Sequence, residues 1–148
     1  LADGLRTFKP LPHRMEPVRE VNGVLWINDS KATNIASTTV ALDALDRPYV
    51  LLLGGRHKGE AYTVMAPKLE TRCRAVIAFG EAGDLIEKDL KGKVKLVRGG
   101  SFADVIEKAR KLAKPGEAVL LSPACSSYDM FRNYEDRGDK FRAAVEAM

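Results

Sequence analysis

Five short apolar runs, each followed at once by small, polar or charged residues, constrain the fold of this 148-residue chain more than any other feature. The runs cover residues 24–27, 49–53, 75–79, 94–97 and 118–121. Apolar runs of this length between turn signals are typical of strands that are buried on both faces. Helical patterns lie between successive runs. The chain is therefore predicted to form an α/β fold, with a doubly wound, mostly parallel, Rossmann-like sheet and helices on both faces.

The dipeptide Asn22-Gly23 predicts one antiparallel edge in that sheet. It lies between the segments 18–21 and 24–27, and it suits the two positive φ angles of a type I′ turn. A β-hairpin is therefore expected at this point.

Helices are predicted over residues 35–45, 63–69, 83–90 and 102–113. Asn34 or Ser37 is the expected cap of the first, Thr63 of the second and Ser101 of the fourth, because short polar side chains accept from the free amides of a first turn. Another helix is expected after residues 122–127. The charged residues 135–139 are interpreted as a solvated turn between helices.

Composition excludes some functions. The chain is 45% hydrophobic and 30% charged, and no apolar run approaches the roughly 20 residues of a membrane span. The net charge of +4 would permit nucleic-acid binding, but basic and acidic residues interleave, and a small anionic ligand explains the excess equally well. Two cysteines without metal or disulfide spacing favour a reducing cytoplasm.

The start of the chain has the properties of a connection. Residues 1–12 contain Pro10 and Pro12 and are predicted to be a linker or the tail of a preceding domain. Residues 13–148 are predicted to form one domain. The chain begins at Leu1 without a charged and apolar leader, so we expect a fragment that carries no signal peptide.

Polar side chains are concentrated at three predicted strand ends, in residues 29–34, 56–58 and 122–127. The carboxyl ends of parallel strands share one edge, where ligands bind in such sheets. The side chains expected there are mainly cations and hydroxyls: His13, Arg14, Lys31, Thr33, His57, Lys58, Ser126 and Ser127. This inventory predicts a cleft for a carboxylate or phosphate, helped by the free amides of the helix after residue 127.

Several residues at or near these strand ends also have a simpler interpretation. Lys31 and Lys58 have the properties of solvated surface charges, and Asp29 those of a cap for the following turn. His13 lies in a loop expected to be exposed. Cys125 is interpreted as a small buried residue rather than a nucleophile. No GxxxxGK[ST] phosphate loop is present.

Several strings together resemble the C-terminal domain of the Mur ligase family, in order along nearly the whole chain. They are LPHR at 11–14, NDSKATN at 28–34, Gly54-Gly55 with Lys58-Gly59, and SPACSS at 122–127 with Asp129, Phe131, Arg137-Gly138 and Phe141. Relatives that add other residues carry DYAHxP-like or YNANP-like strings in place of NDSKATN. The chain is therefore most similar to the D-glutamate-adding branch.

The resemblance implies an ATP-dependent ligase of bacterial peptidoglycan synthesis, and hence of cell-wall biogenesis, cell shape and cell division. ATP phosphorylates the carboxylate of UDP-N-acetylmuramoyl-L-alanine, and the amine of D-glutamate attacks the acyl phosphate. The domains for the UDP-sugar and for the ATP phosphate loop lie outside this chain, which is expected to be inactive alone. ATP and Mg²⁺ are the implied cofactors, and no metal ligand is assigned here.

The family's site residues map onto this sequence one by one. By resemblance, Thr33, Lys58 and Ser127 contact the D-glutamate carboxylates. Tyr134 and Tyr128 are expected at the same pocket. The family often has Phe at the position of Tyr134, and Leu or Phe at the position of Tyr128. His13, Arg14 and Asp29 are expected to line the nucleotide. Lys31 is the implied catalytic residue, since a cation beside the reacting phosphate offsets developing charge.

Two other functions remain open at this point. A flavodoxin-like module would use the same loops to hold a phosphate without catalysis. A sister ligase of the folylpolyglutamate synthetase type would add glutamate to another acceptor, although the string at 122–131 argues against it.

Overall fold

The computed structural model describes residues 11–148, so most of the predicted linker over 1–12 lies outside the described residues. The strands are β1 Glu16–Val21, β2 Val24–Asn28, β3 Tyr49–Gly54, β4 Cys73–Phe79, β5 Leu96–Arg98 and β6 Ala118–Leu121. The helices are α1 Ile35–Ala44, α2 Ala66–Arg72, α3 Gly83–Leu90, α4 Phe102–Leu112 and α5 Tyr134–Glu146, and a 3₁₀ turn, Tyr62–Met65, precedes α2.

The strands form one six-stranded sheet in the order β1-β2-β6-β3-β4-β5. All neighbouring pairs are parallel except β1 with β2, which form the predicted antiparallel hairpin. The turn residues Asn22 and Gly23 have φ angles of 52° and 79°, as a type I′ turn requires. The last strand in sequence, β6, lies between β2 and β3.

The sheet is covered on both faces, which confirms the predicted fold class. Along β3, Leu51 and Leu53 face the core formed with α1, α2 and α3, whereas Val50 and Leu52 face the core formed with α4 and α5. Alternate residues of a strand point to opposite faces, so a central strand must be apolar throughout. None of the helices within 11–148 is long and apolar enough to cross a membrane.

Most predicted helix caps are confirmed. Asn34 accepts a hydrogen bond from the amide of Ser37, and Ser101 accepts one from the amide of Asp104. The predicted cap at Thr63 is wrong, because that residue lies in the 3₁₀ turn and α2 begins only at Ala66. Strand β5 begins at Leu96, two residues later than the apolar run predicts.

Interpreting residues 135–139 as a solvated turn is wrong. They belong to the first turns of α5, where Asp136, Arg137 and Gly138 are buried. At Gly138 an added Cβ would lie 2.1 Å from Nδ1 of His13. A glycine is therefore required for the helix to pack this closely against the start of the domain.

Candidate functional site

Three loops meet at the carboxyl edge of the sheet, because β6 lies between β2 and β3. The loop after β6 is joined to the loop after β2 by a hydrogen bond from the amide of Ala124 to the carbonyl of Ala32, at 3.0 Å. It is joined to the loop after β3 by two backbone hydrogen bonds between Arg56 and Ser126, at 2.9 and 3.3 Å. The three sequence-distant polar clusters therefore form one continuous rim.

Arg137, in α5, joins two of these loops through hydrogen bonds. Its side chain is fully buried and donates to the hydroxyl and carbonyl of Ser30, at 2.9 and 2.8 Å, and to the carbonyl of Cys125, at 3.1 Å. Burial lowers the pKa of this guanidinium to about 10, so it remains charged at neutral pH. The sequence signals this role only through the adjacent Gly138, because the charged run at 135–139 has the composition of a solvated turn.

A cavity of about 250 Å³ opens beside the loop after β3. We call it the Lys58 cavity; its lining residues are Asn34, Ile35, His57, Lys58, Glu60, Tyr62 and Ala124. The ammonium of Lys58 is exposed, so an anion can reach it from solvent. All three loops, or residues directly following them, contribute to its walls.

A second cavity, of about 280 Å³, lies across the loop that follows β2. We call it the Lys31 cavity; its lining residues are Arg14, Met15, Asp29, Lys31, Ala32, Ser37, Val40 and Ala41. Two cations and an apolar wall suit an anion that also carries an apolar group. Because Ala32 lines this cavity and Asn34 lines the other, one short segment borders both.

Lys31 is held by an aromatic neighbour. Its Nζ lies 3.4 Å from the hydroxyl of Tyr134 and 5.3 Å from the centre of that ring, within the range of a cation–π interaction. The carbonyl of Tyr134 also accepts from the hydroxyl of Ser30, at 2.7 Å. Tyr134 therefore contacts the proposed catalytic lysine.

Asp29 is buried and fully engaged. One carboxylate oxygen accepts from the amide of Met15, at 3.0 Å, and the other from the hydroxyl of Ser122, at 2.7 Å. The prediction that Asp29 caps the following turn is therefore wrong. Its carboxylate instead binds Met15, which precedes it in the chain, and Ser122, in the loop that follows β6. Burial raises its pKa to about 6, against the lowering effects of these hydrogen bonds and of Arg14.

We expect the stability of the domain to fall as the pH rises through this pKa. The folded state holds the Asp29 proton up to a pH of about 6, whereas the unfolded chain releases it near its ordinary value of 3.8. The raised pKa thus contributes stability that is present below pH 4 and is lost by about pH 6, an amount of roughly 3 kcal/mol.

Urea unfolding of the wild type and of Asp29→Asn at pH 4, 5, 6 and 7 measures this dependence. Asn cannot ionise, so the variant lacks this part of the slope and gains relative to the wild type as the pH rises. Parallel curves for the two proteins would contradict the raised pKa.

His13 is buried, which corrects the expectation of an exposed loop. The side-chain amide of Asn28 donates to its Nδ1 at 3.0 Å, and its Nε2 lies 3.6 Å from a carboxylate oxygen of Asp139. The ring also meets Tyr134 edge to face, with centres 6.0 Å apart. His13 thus joins β2 to α5, whereas the neighbouring Arg14 remains exposed at the Lys31 cavity.

The remaining predicted residues lie on the same rim. Thr33 is half-buried between Ala32 and Asn34, Ser127 is only 2% exposed, and Tyr128 is 64% exposed. Among the described residues, none of these three lines either cavity. Their predicted contacts with a ligand remain predictions.

The helix amides predicted to follow residue 127 lie farther along the chain. Residues 128–133 separate this loop from α5, whose cap is Asn133; its side chain accepts from the amide of Asp136 at 2.7 Å. The helix N-terminus therefore does not continue directly from the loop. The positive charge at the cavities therefore comes from side chains: Lys58 at the first cavity, and Arg14 and Lys31 at the second.

Residues 11–148 include no group of three or more His, Cys, Asp or Glu side chains placed to hold a metal ion. The Asp29 carboxylate, the acidic group of the Lys31 cavity, is already occupied by two donors. The described side chains thus do not fit a magnesium site by themselves.

Comparison with known sequences decides the family. The profile described as "Mur ligase, glutamate ligase domain" matches residues 13–125. The chain belongs to the Mur ligase family. It is 46% identical over its whole length to a UDP-N-acetylmuramoylalanine–D-glutamate ligase of Salinibacter ruber and covers 32% of that protein. It is 43% identical to the ligase of that name from Myxococcus xanthus, with 98% of the chain and 32% of the relative covered.

Two solved structures share the fold. A murein peptide ligase, Mpl, of Psychrobacter arcticus matches with a TM-score of 0.66 at 18% identity, over 99% of this chain and 32% of that one. The bifunctional folylpolyglutamate synthase/dihydrofolate synthase of Yersinia pestis, solved with AMPPNP and a Mn ion, matches with a TM-score of 0.65 at 15% identity, over 92% of this chain and 32% of that one. The chain thus spans about a third of the length of its relatives.

Proposed function

We propose that this chain is the amino-acid-binding domain of an ATP-dependent ligase that joins D-glutamate to UDP-N-acetylmuramoyl-L-alanine in bacterial peptidoglycan synthesis. The observation that carries the proposal is the pair of adjacent cationic cavities, because each is lined in part by residues of the motifs that resemble the D-glutamate-adding branch, in a chain that is 46% identical to a D-glutamate ligase. The ligase acts in the cytoplasm, where the free thiols of Cys73 and Cys125 are stable.

In this proposal the Lys58 cavity holds the D-glutamate carboxylates. A dicarboxylate needs charge-assisted donors, and the exposed Lys58 ammonium supplies one. Thr33 and Ser127 do not line the cavity, but they lie on the two neighbouring loops that border it, and in this proposal they complete the anchor from there. Tyr128 lies beside Ser127 at the exposed rim. The site thus binds and orients the amino acid so that its amine faces the neighbouring cavity.

The Lys31 cavity forms one wall of the ATP cleft in the same proposal. Arg14 and Lys31 face the phosphates, and Val40 and Ala41 offer an apolar surface to the base. ATP supplies the phosphoryl group that activates the acceptor carboxylate. Lys31 offsets the charge that develops during this transfer, while Asp29 and His13 hold the wall in place. Mg²⁺ and the phosphate loop belong to the domains outside this chain.

A chimera tests the proposal. This chain replaces the matching third of the Salinibacter ruber relative, and phosphate release is measured with ATP, UDP-N-acetylmuramoyl-L-alanine and D-glutamate. We expect release that requires D-glutamate from the chimera and none from the isolated chain. An inactive but folded chimera, or D-glutamate-dependent release by the chain alone, would contradict the proposal.

The same assay separates the two other functions. A folylpolyglutamate synthetase-type ligase would use L-glutamate and a folate acceptor in the chimera rather than the muramoyl substrate. A flavodoxin-like module would bind a flavin or nucleotide tightly as an isolated chain, which calorimetric titration detects.

Replacing Lys58 with Ala in the active chimera is expected to raise the KM for D-glutamate by roughly 10- to 100-fold, since a hydrogen bond to a charged group contributes about 1.5–3 kcal/mol. The kcat should change little, because the lost contact is made equally before and during the reaction. Lys91→Ala, which removes an exposed lysine after α3, is the control and should leave both constants unchanged. A fall in kcat at constant KM would remove Lys58 from the binding role.

A further inference from the structure

A chain of three side chains, joined by hydrogen bonds, borders the Lys58 cavity. The hydroxyl of Tyr62 lies 2.9 Å from Sγ of Cys125 and 3.0 Å from Nδ1 of His57. Tyr62 and His57 line the cavity, whereas Cys125 is fully buried behind it. The hydrogen bonds are self-consistent in either direction: the thiol donates to the hydroxyl and the hydroxyl to the imidazole, or the imidazole donates to the hydroxyl and the hydroxyl to the thiol.

The Cys125–Tyr62–His57 chain connects the two loops that carry the proposed carboxylate anchors. His57 immediately precedes Lys58, and Cys125 lies two residues before Ser127. The backbone pair between Arg56 and Ser126, the sequence neighbours of His57 and Cys125, joins the same loops. The two loops are thus fixed at two points, one on the backbone and one through side chains.

Tyr62 is itself held by the body of the domain. Its amide donates to the carboxylate of Asp89 in α3 at 2.9 Å, and its ring packs against that of His57 with centres 5.3 Å apart. The ring belongs to the hydrophobic core and is only 1% exposed. Its hydroxyl therefore occupies a fixed place, within hydrogen-bond distance of one residue from each loop.

We propose that the Cys125–Tyr62–His57 chain sets the separation of Lys58 from Ser127 and thereby selects the length of the dicarboxylic amino acid. It favours D-glutamate over D-aspartate, which is one methylene shorter. Tyr62 and Cys125 act here as positioning residues, because neither is assigned a contact with the substrate. The inference rests on the proposed function, since it presupposes that this cavity holds the two carboxylates.

The test is Tyr62→Phe in the chimera, because Phe keeps the ring in the core and removes both hydrogen bonds. We expect the KM for D-glutamate to rise about five- to tenfold, as for the loss of one net hydrogen bond, with kcat nearly unchanged. The preference for D-glutamate over D-aspartate, measured as the ratio of the two kcat/KM values, should fall by at least a similar factor. Since one methylene contributes roughly 10- to 200-fold to discrimination, a fall of this size would remove much of the wild-type preference.

Tyr49→Phe is the matched control. Tyr49 is equally buried, at 1% exposure, but it begins β3 and so lies at the end of the strand opposite the cavity. A change confined to stability would lower the melting temperature in both variants and leave the substrate preference of both at the wild-type value. That outcome would overturn the inference.

The cysteine provides a rescue. Cys125→Ser keeps a hydrogen-bonding group and should retain the D-glutamate preference, whereas Cys125→Ala should narrow it as Tyr62→Phe does. Equal preferences in the Ser and Ala variants would also overturn the inference. If the wild-type chimera shows no D-glutamate-dependent activity, the proposed function fails; if it is active and Tyr62→Phe retains the wild-type preference, only the positioning role fails.

Discussion

Replacing Lys31 with Ala in the active chimera should lower kcat by about 100-fold or more, with a much smaller change in the KM for D-glutamate, as expected when a preorganised charge is removed from the site of charge development. The Lys31 ammonium lies against Tyr134 and lines the cavity next to the Lys58 cavity. Its position is therefore fixed before any ligand binds, and little reorganisation is needed when negative charge builds up. Steady-state kinetics with each substrate varied in turn measures the effect.

Lys108→Ala is the control for this experiment. Lys108, in α4, is also half-buried. Its ammonium donates to the carboxylate of Asp104 and to the carbonyl of Arg98. Its removal should leave kcat unchanged. If Lys31→Ala raised the KM for D-glutamate while kcat stayed constant, Lys31 would belong to the amino-acid site instead.

Replacing Arg137 with Ala should lower the stability of the domain by about 3–5 kcal/mol, because the change leaves a cavity and buried acceptors without donors. The lost donors are those to the hydroxyl and carbonyl of Ser30 and to the carbonyl of Cys125. Arg137→Lys should restore little, since an ammonium cannot reproduce the planar geometry of three donors that point at two loops. Urea unfolding of the isolated chain measures both variants.

Arg110→Ala gives the comparison for Arg137. Arg110 lies on α4 and pairs with Glu107 at 3.5 Å, with both side chains about half exposed. An exposed pair of this kind contributes roughly 0–1 kcal/mol. Equal losses for the two arginine variants would show that Arg137 does not hold the loops together.

The sequence was sufficient for the fold class because each buried strand has its own local signal. The continuous apolar run at β3 requires cover on both faces, and Asn22-Gly23 suits only a tight turn with two positive φ angles. The helix caps at Asn34 and Ser101 are likewise local, since donor and acceptor are three residues apart. Such features depend on neighbours in sequence, and the structure confirms them.

The errors at His13 and Arg137 concern residues whose environment is built by distant parts of the chain. His13 was expected to be exposed, but α5 covers it at Gly138. Arg137 was assigned to a solvated turn, although it binds loops that follow β2 and β6. A charged residue is normally solvated, and only the assembled loops provide the carbonyl groups that let this one be buried.

The sequence by itself determined the strands, their polar ends and the kinds of side chain at the rim. Only the tertiary structure decided that β6 lies between β2 and β3, which places the loop containing Cys125 against both of its neighbours. The order of strands depends on which helices cover which face, and this is a property of the packed cores rather than of any short segment. For the same reason the Cys125–Tyr62–His57 chain, whose members come from separate elements, became visible only in the folded domain.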